Sequence, residues 1–259
     1  MNHTRLFASA TLLALIAAFA LCGAASQGSP DAATLAQAQN ARDAGDGAAL
    51  QKIIDAASSR AAQHPAFENY VSVALFQDWA CEIAFGKNDS ALVKNHAEAG
   101  ISAAEKAVQL KPDSSEALWL LGDLLSQLIP NVFAGGVRYG QRSTDELDKA
   151  IALDPRNANA YVSRATSYYF TPAMFGGDKQ KAVELLQKAI ALDPSSDAAG
   201  TAHIWLAQIY DKEGRHDDAV HESNEALRLA PHRGFAQSVA QQINASKKTA
   251  QKSTGQTEQ

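Results

Sequence analysis

Apolar and polar positions along the chain repeat at a long and regular interval. Four times an alanine, an aliphatic residue and a leucine lead into a proline, in the segments KAVQLKP (106–112), KAIALDP (149–155), KAIALDP (188–194) and EALRLAP (225–231). The closing prolines are 43, 39 and 37 residues apart. Because proline cannot continue a helix, each segment is the expected end of one. Self-similarity at this period predicts a stacked array of helical units.

Within each unit, small and large residues recur at fixed places on two predicted helices. In the last unit they are Leu206, Ala207 and Tyr210, then Gly214 at a turn, then Ala219 and Ala226. The unit at 158–196 repeats the pattern, and the unit at 115–157 retains part of it. The pattern resembles the tetratricopeptide repeat. This resemblance implies an all-α fold, a right-handed solenoid of about five stacked antiparallel helix hairpins.

The resemblance and the composition divide the chain into five segments. We predict a signal peptide at 1–25, degenerate helical repeats at 32–113, tetratricopeptide repeats at 114–233, a capping helix at 234–245 and a disordered tail at 246–259. The tail is assigned because it shows no apolar periodicity. Residues 32–65 form either a true repeat or a cap on the array.

The amino-terminal segment has the layout of a secretory signal. Arg5 precedes an apolar run from Leu6 to about Leu21, and small residues follow. The run is shorter than the roughly 20 residues that span a bilayer, which favours cleavage after Ala24 or Ala25 over a membrane anchor. Lipidation at Cys22 is an alternative, although Leu21 is bulkier than the residue that usually precedes a lipidated cysteine. We therefore expect an exported protein, periplasmic or secreted.

Charge and composition exclude several classes of function. The formal net charge of −5 argues against nucleic acid as a partner, because nucleic acid requires a basic face. Signal cleavage leaves Cys81 as a single cysteine within an apolar helix, where a buried hydrophobe is the expected role. The cluster of His216 and His221 puts its histidines five residues apart, on different faces of a helix. We predict no catalytic residue, no metal site and no cofactor.

Two of the units carry a longer loop between their helices. The loops run from Pro130 to Gly136 and from Pro172 to Gly177, and they place Phe133 and Phe175 42 residues apart, at equivalent positions. Proline ends the first helix and the glycines permit tight or left-handed backbone. Each phenylalanine either packs back over its hairpin as a seal or lies exposed and forms a binding rim.

The second set of candidate residues follows from the resemblance. In tetratricopeptide repeats, ligands usually occupy the concave groove that the first helices line. The corresponding positions here are Trp119, Asp123, Gln127, Val162, Thr166, Tyr169, Trp205, Gln208 and Lys212. These residues suit an extended or apolar peptide better than a carboxylate terminus, which such grooves clamp with paired Lys and Asn. For the two tryptophans, packing between repeats is the alternative.

These observations favour one function and leave two alternatives. We expect a non-catalytic scaffold that binds a protein or peptide through its concave groove, in the periplasm or envelope of a bacterium. One alternative is an accessory subunit of a solute transporter that holds a small ligand near the two loops. The weaker alternative is an enzyme built on helical repeats. The oligomeric state does not follow from the sequence.

Overall fold

The computed structural model describes residues 32–255, and within that range the chain forms eleven α-helices and no strand. They are α1 (Ala32–Asp43), α2 (Gly47–Gln63), α3 (Phe67–Gly86), α4 (Ser90–Leu110), α5 (Ser115–Leu128), α6 (Gly135–Leu153), α7 (Ala158–Phe170), α8 (Lys179–Leu192), α9 (Asp197–Lys212), α10 (His216–Leu229) and α11 (Gly234–Gly255). The predicted signal peptide and Cys22 lie outside the described residues. None of the helices in 32–255 is both long and apolar enough to cross a membrane.

Successive helices pair into five hairpins, and α11 follows as a cap. The pairs are α1–α2, α3–α4, α5–α6, α7–α8 and α9–α10, and each hairpin packs on the next. The predicted right-handed solenoid of about five hairpins is confirmed. Residues 32–63 form a helix hairpin like the others.

The repeated sequence segment ends one helix and starts the next. The helices α4, α6, α8 and α10 end at Leu110, Leu153, Leu192 and Leu229, each two residues before a repeat proline. Two residues after the first three prolines lies a capping residue, in turn Ser114, Asn157 and Ser196. Their side-chain oxygens accept from the amides of Ala117, Ala160 and Ala199 at 3.2, 3.1 and 3.1 Å. Such caps satisfy amides that the first turn of a helix leaves unpaired.

Small residues allow the two helices of a hairpin to approach closely. A Cβ at Gly122 on α5 would lie 2.7 Å from Cγ of Leu147 on α6. The hydroxyl of Ser143 donates to the carbonyl of Gly122 at 2.7 Å, which ties the helices at the same point. A larger side chain at position 122 would therefore separate the pair.

The hydrophobic core is distributed along the array. One large cluster of buried apolar side chains is built by α2 to α5, and another by α7 to α11. A smaller cluster centred on Phe76 holds the first hairpin to α3. A core divided in this way is expected when each hairpin buries its apolar face against its neighbours.

The two ends of the array meet. The first helices α3, α5, α7 and α9 contact one another in sequence, and α11 contacts both α9 and α3. These five helices therefore form a closed ring, and the concave face of the solenoid is the inner wall of that ring. The sequence analysis did not predict this closure.

The last helix is longer than predicted. Helix α11 runs from Gly234 to Gly255, so the assignment of a disordered tail from residue 246 is wrong up to residue 255. Ala236, Val239 and Ile243 are buried and anchor its first half. Its second half is rich in Ala, Lys and Gln, which have high helix propensity and extend an established helix. Residues 256–259 lie outside the described range.

Candidate functional site

The two long loops share one backbone design. Ala134 and Gly176, which follow the two phenylalanines, both have left-handed backbone, with φ of 54° and 92°. The next residue in each loop is a glycine pressed against a carbonyl. An added Cβ would lie 2.2 Å from the oxygen of Ile129 at Gly135 and 1.7 Å from that of Thr171 at Gly177. The loops are therefore structural equivalents, as their 42-residue spacing predicts.

This backbone turns the loop side chains outward. Phe133 is 95 % exposed and Phe175 is 73 % exposed. Met174, next to Phe175, is 83 % exposed, and Val137, in the first turn of α6, is 91 % exposed. A side chain that exposed cannot seal the end of its hairpin, so the geometry favours the rim interpretation over the seal. We call these four residues the rim.

The residues in the middle of the predicted groove make contacts within and between hairpins. The indole Nε1 of Trp119 on α5 donates to the hydroxyl of Ser163 on α7 at 3.0 Å. Thr166 donates to the carbonyl of Ser163 at 2.8 Å, and Val162 is buried in the core. These contacts correspond to the packing alternative for Trp119.

Two carboxylates meet on the inner wall. The amide Nε2 of Gln127 donates to Oδ1 of Asp78 at 2.5 Å and to Oδ2 of Asp123 at 2.6 Å. Burial, followed by the negative charge of Asp123, raises the pKa of Asp78 well above its usual value. Burial and the charges of both aspartates also raise the pKa of the Cys81 thiol. Because the thiolate is the nucleophilic form, Cys81 is in an environment that suppresses its reactivity.

The two other aromatic residues of the predicted groove, Tyr169 and Trp205, belong to a row of aromatic rings. The ring of Phe170 lies 5.1 Å from Tyr169 and 5.6 Å from Trp205, and Trp205 lies 6.3 Å from Phe235. Phe235 in turn meets Phe85 edge-on at 5.8 Å. We call these five residues the aromatic row.

Two more predicted groove residues lie on α9 with Trp205. The ammonium of Lys212 lies 5.6 Å from the centre of the Tyr169 ring, within range of a cation–π interaction. The side-chain nitrogen of Gln208 is buried and has no hydrogen-bond partner within the described residues. The structure thus places Lys212 with Tyr169 and the aromatic row, and leaves Gln208 with an unused donor.

The charged cluster around His216 consists of separate pairs. His216 Nδ1 lies 3.0 Å from Asp211, Asp217 lies 2.7 Å from Lys247, and Asp218 pairs with Arg215. Among residues 32–255, no three His, Cys, Asp or Glu side chains are grouped as a metal ion would require.

Two kinds of residue in these sites are not apparent from the repeat pattern. Val137 and Met174 were not singled out, although each is a large apolar residue in or beside a loop and has no helical apolar partner. Arg233 was also missed. It holds the position at which the three preceding units have a serine or asparagine cap. The absence of a capping residue type at this position could have indicated that Arg233 has another role.

Comparison with known proteins agrees with this fold. The family model described as tetratricopeptide repeat matches residues 173–196 and 200–233. Among solved structures, the thermophilic tetratricopeptide-repeat protein TTC0263 of Thermus thermophilus matches with a TM-score of 0.58 and 18 % identity. That match covers 77 % of this chain and 91 % of that chain. No curated protein sequence matches the chain.

Two further solved structures are similar at lower scores. MamA has a TM-score of 0.41 and 22 % identity, covering 70 % of this chain and 89 % of its own. YrrB, described as a tetratricopeptide-repeat protein with an unusual peptide-binding site, has a TM-score of 0.42 and 15 % identity, covering 82 % and 98 %.

The helix hairpins, their stacking and the matched repeats define a helical-repeat protein of the solenoid class. Residues 173–196 and 200–233 match the tetratricopeptide repeat, and the chain as a whole has the fold of a tetratricopeptide-repeat solenoid.

Proposed function

We propose that the protein is a non-catalytic scaffold that binds a protein partner through the rim, in the periplasm or envelope of a bacterium. The observation that carries the proposal is the exposure of Phe133, Val137, Met174 and Phe175, each at least 73 % accessible. Four large apolar side chains, three on equivalent loops of neighbouring hairpins and one in the first turn of α6, are unfavourable in water unless a partner covers them. Helical solenoids present surfaces of this kind for protein binding.

The backbone supports the same interpretation. Gly135 and Gly177 lie so close to carbonyl oxygens that a side chain would not fit at either position, so both loops depend on the same compact turn to present their side chains. Preorganised aromatic anchors lose little conformational entropy on binding, which is a property of interface hot spots. The closed ring, by contrast, engages much of the predicted groove in contacts between its own helices. The rim therefore fits a folded partner better than the groove fits an extended peptide.

The alternative of a solute held near the loops has less support. A small ligand requires a concave site that buries most of its surface. Phe133 and Phe175 point into solvent instead and cover no such site. The location outside the cytoplasm is supported by the charged, apolar and small-residue segments at 1–25.

The rim is tested by capture of partners from the exported fraction. Tagged mature protein is crosslinked in cells, and its partners are identified for the wild type, for the double variant Phe133→Ser/Phe175→Ser and for the control Leu110→Ser/Leu153→Ser. The control removes two exposed leucines that lie outside the loops. Loss of aromatic anchors weakens binding by at least about 1.4 kcal/mol, which is tenfold.

We expect a specific protein that the wild type and the control capture and that the loop variant loses. Equal capture by all three forms would exclude the rim, and no specific partner for the wild type would exclude the scaffold. The same fractions test the location. A mature amino terminus at residue 25 or 26 is expected, and an uncleaved cytoplasmic chain would contradict it.

A further inference from the structure

The closure of the ring is made by one cluster of charged residues, which we call the seam. The carboxyl ends of α1 and α3 meet the amino ends of α9 and α11 there. Arg42 and Glu82 lie in the last turns of α1 and α3, Asp197 is the first residue of α9, and Arg233 directly precedes α11. Helix dipoles favour this arrangement, because negative carboxyl ends face positive amino ends.

Two arginines span the seam. Arg42 donates from Nη1 and Nη2 to the two oxygens of Asp197 at 2.8 and 2.7 Å. Arg233 donates from Nε to Glu82 at 2.8 Å, and from Nη2 to the other oxygen of that carboxylate. A third bond runs from Arg233 Nη1 to Thr201 at 2.9 Å. Both arginines are buried, with 3 % and 2 % exposed surface.

At the start of α11, a residue that contacts α3 stands where the earlier repeats have a residue that caps the helix. Arg233 occupies the capping position of α11, since its carbonyl accepts the first helical hydrogen bond from Gln237. Ser114, Asn157 and Ser196 cap the corresponding helices with their side chains. Such a cap contributes about 1 kcal/mol. At position 233 the chain instead carries a long cation that reaches α3, 151 residues away.

The seam is polar and incompletely filled. A cleft of about 180 Å³ opens beside Asp197, between α1 and the start of α9. A buried ion pair contributes little net stability compared with apolar side chains of similar volume, although losing one partner costs several kcal/mol. A contact of this kind can separate as a unit, with both partners returning to water, more readily than an apolar core.

Opening the seam would change what the inner wall presents. The contact between Phe85 on α3 and Phe235 on α11 crosses the seam and joins the two ends of the aromatic row. Phe85 and Phe170 are already 50 % and 57 % exposed. Separation of α3 from α11 would expose Phe235 and the adjoining face of Trp205 as well.

We propose that the seam is a latch that holds the array as a closed ring and shields Phe235 and the adjoining face of Trp205, and that its opening exposes them on the inner wall. The latch acts separately from the rim, which lies on the loops of the third and fourth hairpins. The same chain thus has a permanently exposed surface and a second one under the control of its ends.

The latch is tested with the double variant Glu82→Gln/Asp197→Asn. Both changes preserve shape and remove the carboxylate charges that Arg42 and Arg233 contact across the seam, while Arg42 keeps its contact with Asp43 on its own helix. The control is Glu225→Gln, which removes an exposed partner of Arg228 on α10. Hydrogen exchange and small-angle X-ray scattering are measured on the full mature chain, with circular dichroism to verify that helix content is retained.

We expect at least about tenfold faster exchange in 79–86, 197–205 and 233–239, since removing the partners of buried charges costs several kcal/mol. Exchange in α5 and α6 should be unchanged, and the radius of gyration should increase. Unchanged dimensions with wild-type exchange at the seam would overturn the latch. Faster exchange in all helices would also overturn it, because that pattern reports global destabilisation.

A second measurement tests the shielding. The dye 1-anilinonaphthalene-8-sulfonate is titrated into the wild type, the double variant and the control. The double variant should bind more dye than the other two forms, and adding Phe235→Ser should remove the excess. Equal dye binding in an expanded double variant would show that the ring opens without exposing the aromatic row, and would reject the proposed role.

Discussion

Ala134 has a backbone conformation that its own side chain disfavours. Its φ is 54°, and the equivalent residue of the next unit is Gly176, with φ of 92°. A left-handed conformation costs a residue with a Cβ about 1–2 kcal/mol, whereas glycine adopts it freely. The sequence predicts the equivalence of the two loops from their spacing. It does not predict that their phenylalanines face solvent, because side-chain direction depends on the local backbone conformation of each loop.

The substitution Ala134→Gly should therefore stabilise the protein, by up to about 1 kcal/mol after the added entropy of the unfolded chain is subtracted. Gly176→Ala should destabilise it by about the same amount. Gly136→Ala is the control, because a Cβ there meets open space and φ is not positive. Urea midpoints at constant slope measure all three. A destabilised Ala134→Gly variant would show that the left-handed turn is not strained.

The second residue-scale prediction concerns Asp78, whose raised pKa makes stability depend on pH. The folded state binds the proton more tightly than the unfolded chain, in which the pKa is about 3.9. Stability therefore falls as pH rises from about 4 through the raised folded value. Asp78→Asn keeps an acceptor for Gln127 and removes the charge. It should be more stable than the wild type at pH 7 and lack this decline.

Urea unfolding from pH 4 to 8 measures the effect, with Asp55→Asn on the exposed face of α2 as the control. Parallel profiles for the wild type and Asp78→Asn would contradict the assignment. The sequence placed Asp123 on the inner wall from its repeat position. It did not reveal Asp78, which lies on one of the degenerate repeats and meets Asp123 only through packing of α3 on α5.

At the scale of the element, helix ends were predictable and helix length was not always so. Each repeat proline marks an end because the missing amide and fixed ring stop the helix, and this holds whatever surrounds it. The tail after Ala245 carries no such signal. Its helix depends on elongation from the packed first half of α11, a cooperative effect that apolar periodicity does not report. Local sequence signals therefore predict where a helix ends better than they predict how far a helix continues.

At the scale of the whole molecule, the repeat period fixes the hairpins but not the curvature of their stack. Closure depends on small packing angles that accumulate over five units. The contacts that result join residues 151 and 155 positions apart, Glu82 with Arg233 and Arg42 with Asp197. The local sequence feature at this contact that differs from the earlier repeats is the arginine at cap position 233, where those repeats have serine or asparagine. Sequence reasoning from one repeat to the next could not extend to a contact between the two ends.

Closure should also change how the molecule unfolds. In an open array each unit depends on its neighbours, so a lesion in the cap weakens only the adjoining helices. In a ring the cap is a neighbour of α3 as well. Ile243→Ala creates a cavity in α11, where Ile243 is buried, and costs about 2–5 kcal/mol. Hydrogen exchange should then become faster in α9 and α11 and also at residues 79–86 of α3, with α5 and α6 less affected.

The control for this prediction is the same substitution in the background of Glu82→Gln/Asp197→Asn. With the seam removed, Ile243→Ala should still accelerate exchange in α9 and α11 but should have no further effect on α3. The difference between the two backgrounds measures the coupling energy that the seam transmits. If α3 responds equally in both, the coupling passes through the stack of hairpins and the ring is not a mechanical unit. If α3 responds in neither, the contact between the ends does not persist in solution.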